Sequence, residues 1–124
     1  MIHIFTTGGT IEGLDYTDDV GITSSNVGIE DFLNKANIDF EYTIENVFKK
    51  DSRVVTDDDR KLLVRKIKET NATKILITHG TFTMEDTAKY IGKLNLNKTI
   101  VLVGSFILGS SADTDAPFNL GYAI

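Results

Sequence analysis

Ile2-His3-Ile4-Phe5-Thr6-Thr7-Gly8-Gly9-Thr10-Ile11-Glu12-Gly13 decides the reading of the chain. An apolar run at residues 2–6 predicts a buried strand, and the glycines behind it predict a tight turn that lifts a threonine hydroxyl above the strand's carboxyl end. Open α/β sheets place their ligands at such ends. A second segment repeats the arrangement: Ile75-Leu76-Ile77-Thr78-His79-Gly80-Thr81-Phe82-Thr83-Met84-Glu85-Asp86 runs from an apolar stretch through glycine and threonine into a helical pattern. Two strand ends, each with a hydroxyl and exposed backbone N–H groups, are expected to meet around one small ligand.

The remaining pattern alternates strands and helices. A polar, glycine-containing loop runs to about residue 28, and a short helix is expected near 29–36. Phe40, Tyr42, Ile44 and Val47 nearly alternate with polar residues and predict a strand over 39–48. Thr56 reads as an N-cap, with Asp57, Asp58 and Asp59 in the first turn of a helix to 69 whose apolar face is Leu62, Leu63 and Ile67. The strand 74–78 is apolar on both faces and so central. A helix over 84–94, a strand over 99–104 and a final helix capped by Asp115 with Pro117 in its first turn complete the pattern. Such alternation implies a doubly wound parallel sheet, a flavodoxin-like or Rossmann-like three-layer sandwich, in one domain over residues 1–124. Ending on a helix of about two turns at Ile124 points to a truncated or unusually short chain.

Composition narrows the function. A formal net charge of −5 argues against nucleic acid, which needs clustered Lys and Arg to displace counterions. Lys61, Arg65, Lys66 and Lys68 do cluster, but behind three aspartates, as a helix macrodipole favours. The absence of cysteine excludes disulfides and thiolate chemistry. His3 and His79 stand in no ligand spacing, so no metal is expected. No apolar run approaches the roughly 20 residues that span a bilayer, and no basic, apolar leader opens the chain, so no membrane role and a cytoplasmic setting are expected. Gly8-Gly9 with Gly13 is not a dinucleotide fingerprint, and no Gly-Lys-Ser/Thr follows, so no nucleotide cofactor is expected.

TTGGTIEG at residues 6–13 resembles the first signature of the L-asparaginase/glutaminase family, the bacterial type with a threonine nucleophile, and ITHGTFTMEDTA at 77–88 resembles its second. Lys50-Asp51-Ser52-Arg53 is similar to the family's Asp-Ser loop, and Ser111-Ala112-Asp113-Thr114-Asp115-Ala116-Pro117-Phe118-Asn119-Leu120 to its Ser-Ala-Asp-Gly-Pro-Asn-Leu stretch. The resemblance covers nearly the whole chain and only the N-terminal domain of a full-length asparaginase.

The resemblance implies that Thr10 attacks a side-chain amide carbon, that Thr81 serves the attacking water, and that Tyr16 lies over Thr10 from a neighbouring loop. It implies that Ser52 holds a substrate carboxylate, that Gly80 lines the pocket, and that the partner is a small amide or amino-acid-like ligand in a homo-oligomer. Arg53 either strengthens anion recognition with its guanidinium fork or is a surface arginine paired with Asp57–Asp59. Two positions depart from the pattern. The family's Gly-Thr-Asp-Thr reads Gly80-Thr81-Phe82-Thr83, so a phenyl stands where a carboxylate would hold an α-ammonium, unless Phe82 is a core or lid aromatic. The family's catalytic lysine lies beyond the Asn-Leu motif, farther than this sequence runs, and Lys89 and Lys93 fall at solvent-facing helix positions. Glu12 and Asp15 are nearby acid–base groups, with Glu12 read as loop polarity. An amidohydrolase, a noncatalytic metabolite-binding module and a dimerisation scaffold are the alternatives these residues leave open.

Overall fold

The computed structural model describes residues 1–14 and 28–124. Strand β1 (Ile2–Gly8) pairs in parallel with β2 (Tyr42–Lys50) on one side and β3 (Lys74–Thr78) on the other, and β4 (Thr99–Val103) continues the sheet beside β3, giving the order β2-β1-β3-β4. Helices α1 (Ile29–Ala36), α2 (Asp57–Glu69), α3 (Met84–Gly92) and α4 (Ala116–Ala123) cover its two faces.

Side-chain alternation along the central strands builds both cores. Ile4 and Leu76 face α1 and α4, where they join Ile29, Leu33, Ala116 and Leu120. Phe5, Ile75 and Ile77 face α2 and α3 and pack with Leu63, Val64, Ile67 and Ile91. The result is the α/β three-layer sandwich expected of the pattern, with β1 and β3 buried in the middle.

Boundaries moved where tertiary pairing overrides pattern. The second strand starts at Tyr42, not 39, and runs on to Lys50, because Gly8 at the end of β1 pairs with Lys50. For the same reason β1 continues through Gly8. Helix α3 stops at Gly92, short of 94, and Asn95 turns the chain with a positive φ of 51°. The apolar face of α2 is Leu63, Val64 and Ile67, while Leu62 is only partly buried. Thr56 caps α2 as expected: its hydroxyl accepts from the Asp59 N–H at 3.2 Å, and the Asp59 carboxylate accepts from the Thr56 N–H at 2.9 Å.

Candidate functional site

Strand order reverses around β1 and β3, since β1 leads to β2 on one side and β3 leads to β4 on the other. A crevice opens outside their carboxyl ends at such a point. There, a cavity of about 310 Å³ is lined by Gly9, Thr10 and Leu14 after β1, by Asp51, Ser52 and Arg53 after β2, by Gly80, Thr81 and Phe82 after β3, and by Phe106 after β4. The structure thus brings Thr10, Ser52, Arg53, Gly80, Thr81 and Phe82 together. Tyr16 and Asp15 lie outside the described residues.

Close backbone approach explains the glycines. A Cβ on Gly9 would stand 2.4 Å from the Gly80 nitrogen, and one on Gly80 would stand 2.7 Å from both Cβ and Oγ of Ser52. The first turn is therefore seated directly on the second, and the second on the Asp51-Ser52 turn. Hydrogen bonds tie the same pieces: the Thr7 hydroxyl donates to the Thr78 carbonyl at 2.6 Å, Gly9 N–H to the Lys50 carbonyl at 3.0 Å, and Thr83 N–H to Ser52 Oγ at 3.2 Å. The Thr83 hydroxyl in turn donates to the Ser52 carbonyl at 2.7 Å.

Beneath the second turn lies a buried polar chain that sequence reasoning missed. The Gly80 carbonyl can only accept, so His79 Nδ1, 2.7 Å away, carries the proton. In the neutral ring Nε2 then accepts from the Thr87 hydroxyl at 2.9 Å, whose oxygen accepts from Arg60 Nε at 2.9 Å. Burial lowers the His79 pKa; the Gly80 hydrogen bond opposes this, and the Arg60 charge adds to the lowering. The neutral tautomer that the geometry requires is the one the environment favours. This chain fixes the Gly80-Thr81 peptide, and because C=O and N–H of a trans peptide point opposite ways, it turns the Thr81 N–H away from His79. The signal was present in sequence: Arg60, Leu63, Val64 and Ile67 occupy one helical face at i, i+3, i+4 and i+7.

Glu12 is not loop polarity. It is 5% exposed, and its carboxylate accepts from the Gly8 N–H across the turn that carries Thr10. Burial pushes its pKa up, against the opposing effects of the Gly8 N–H and Lys49. Arg53 pairs with Asp51. Its Nε lies 3.2 and 3.1 Å from the two Asp51 carboxylate oxygens, its Nη2 lies 2.8 Å from one of them, and its own N–H donates to Asp51 at 2.9 Å. The expected capping aspartates are engaged elsewhere: Asp57 with Arg60 at 3.0 Å and Asp59 with Lys50 at 2.8 Å. Phe82 is no core residue, since 77% of it is exposed at the cavity rim.

The stretch after β4 closes the far side. Asp115 accepts from the Phe106 and Ile107 N–H groups at 3.0 and 2.9 Å, and Asn119 donates to the Gly104 carbonyl at 3.0 Å. Burial opposes ionisation of Asp115, yet these donors together hold its carboxyl below the usual value. Gly109 N–H donates to the Thr10 carbonyl at 2.9 Å, anchoring this loop on the first turn. Among the described residues no cluster of three or more His, Asp or Glu is placed to hold a metal, and no helix is long and apolar enough to cross a membrane.

An open parallel α/β domain with a hydroxyl-lined crevice at its switch point is the class this geometry defines. Residues 1–124 match the family model described as Asparaginase, N-terminal, and the chain belongs to that family. It is 34% identical over 135 aligned positions to L-asparaginase 2 of Escherichia coli (strain K12), covering 99% of this chain and 37% of that protein. With the glutaminase-asparaginase of Acinetobacter glutaminasificans it shares 33% identity, over 99% of this chain and 40% of the relative. The thermostable L-asparaginase from Thermococcus kodakarensis superposes with a TM-score of 0.80 at 26% identity, over 98% of this chain and 39% of that one. The chain therefore spans about two fifths of the length of these relatives.

Proposed function

We propose that this chain carries the nucleophile-bearing part of an amidohydrolase site, and that it hydrolyses the amide of a small carboxylate-bearing substrate with release of ammonia. The observation that supports this most is the convergence of Thr10, Ser52 and Thr81 on one cavity, held by turns packed backbone to backbone. Thr10 Oγ attacks the amide carbon, its proton passes to the departing nitrogen, and the C–N bond breaks to leave an ester on Thr10. Water positioned at Thr81 then attacks the ester, giving a carboxylic acid and restoring the Thr10 hydroxyl. The Gly8 and Gly9 N–H groups are bonded to Glu12 and Lys50, so the Thr81 N–H, turned away from His79, is the donor offered to a developing oxyanion. Ser52 receives the carboxylate, and Tyr16, six residues on in the sequence, serves the Thr10 proton.

Copies of the chain are expected to associate, an expectation supported by Val101, Phe118 and Tyr122, which lie exposed on β4 and α4. A noncatalytic binding module is the second reading, favoured by Phe82 at the rim and by the engagement of Arg53 with Asp51. Ammonia release from L-asparagine, L-glutamine and succinamic acid separates the two. The proposal predicts release above background that disappears in a folded Thr10→Ala variant. Release unchanged by Thr10→Ala removes Thr10 as nucleophile, and no release from any amide leaves the binding module.

A further inference from the structure

Two phenyl rings stand at the cavity that the proposed reaction uses. Phe82 comes from the turn between β3 and α3 and Phe106 from the loop after β4, and both line the same space as Thr10 and Ser52. They are 77% and 82% exposed, so neither ring is consumed by the core. Both sit on anchored backbone. The neighbouring Thr83 N–H is bonded to Ser52, and the Phe106 N–H is bonded to the Asp115 carboxylate. Leu14, itself buried, adds a further apolar wall. Backbone anchored in advance lowers the ordering cost when a ligand covers the rings.

The charged groups of the lining point the same way. Among the described residues Asp51 and Arg53 are its charged members, and the guanidinium grips both carboxylate oxygens of Asp51. An entering ammonium would have to compete with that fork for the Asp51 carboxylate. A phenyl face offers an ammonium only a weak cation–π contact at an exposed site, whereas an uncharged aryl or alkyl group gains both burial and ring contact.

We infer that the site selects a dicarboxylic-acid monoamide that bears an apolar substituent beside its carboxylate and no ammonium, with Phe82 and Phe106 as the two sides of a clamp on that substituent. The inference rests on reading the Thr10 cavity as the amide site and deepens it by naming the substrate class. Thr10 meets the amide, Ser52 the carboxylate, and the rings the group between or beside them.

The test uses products in place of substrates, so that binding is measured without turnover. Calorimetric titration compares phenylsuccinate, succinate and L-aspartate on the protein and on a Phe82→Ala/Phe106→Ala double variant; both changes are at exposed positions, and circular dichroism checks the fold. Phenylsuccinate is expected to bind on the order of tenfold tighter than succinate, a difference of about 1.4 kcal/mol, with the advantage lost in the double variant and aspartate no tighter than succinate. Phenylsuccinate no tighter than succinate, an advantage that survives in the double variant, or a ring-dependent preference for aspartate would each overturn the inference. Ammonia release is scored separately: ring-dependent binding without release upholds the clamp and defeats the hydrolase reading, and release without ring-dependent binding does the reverse.

Discussion

Replacing Gly9 with alanine tests the packing on which the site depends. Gly9 has φ 83° and ψ −179°, a backbone region open essentially to glycine alone, and forcing another residue into it costs about 1–3 kcal/mol. The added Cβ would also lie 2.4 Å from the Gly80 nitrogen and 2.5 Å from its Cα, roughly 1 Å inside ordinary contact, and overpacking of this kind costs about 1–3 kcal/mol. The obstructing atoms are backbone, so no rotamer change relieves them. Gly9→Ala should therefore lose about 2–6 kcal/mol, a large part of the roughly 5–15 kcal/mol that holds a typical domain folded. Because the two threonine turns must separate, ligand binding should weaken beyond the fraction unfolded. Gly121→Ala is the control: its Cβ meets nothing within 4 Å on α4, and the change should stabilise by about 0.4–1 kcal/mol. Urea denaturation followed by circular dichroism gives both values from the midpoints at a common slope. A Gly9→Ala midpoint equal to that of the parent would refute the contact between the turns.

Two further substitutions probe the buried polar groups. Thr87→Val keeps the side-chain shape but strips Arg60 Nε and His79 Nε2 of their shared partner, so it should cost about 1–3 kcal/mol in urea denaturation; a variant as stable as the parent would mean that the chain beneath Gly80 is not formed. Glu12→Gln should be more stable than the parent at pH 8. The native pKa of Glu12 is raised above its ordinary 4.5, so the stabilisation of its neutral form is complete below that value and lost as pH rises through the raised pKa. The amide never ionises, so its advantage should shrink as pH falls towards 4.5; a parent and variant of equal stability at pH 8 would show that Glu12 is not buried against Gly8.

What the sequence made legible was whatever local chemistry controls. Two apolar runs ending in glycine and threonine marked the central strands, and Thr56 with three aspartates marked the start of α2, because turn and cap chemistry act within a few residues. Ends set by distant partners were not legible: β1 and β2 both continue past the C-terminal ends their patterns marked because Gly8 pairs with Lys50 across the sheet. The same distinction divides the site. Thr10, Ser52 and Thr81 announce themselves through motifs, whereas Phe106 joins them only because the loop after β4 folds back on Asp115. Polar residue type also misled, since Arg60 and Glu12 are buried and bonded, and only the helical spacing of Arg60 with Leu63 and Ile67 hinted at it.

Whether the turns after β1, β2 and β3 form one site for one small ligand is open to direct measurement. Titration of the ¹⁵N-labelled protein with succinamic acid tests it most directly. The account predicts that the backbone amides of Thr10, Ser52, Gly80 and Thr81 shift together along a single binding curve, while those of α4 stay in place. Shifts confined to one turn, or separate curves for the Thr10 and Thr81 amides, would contradict it.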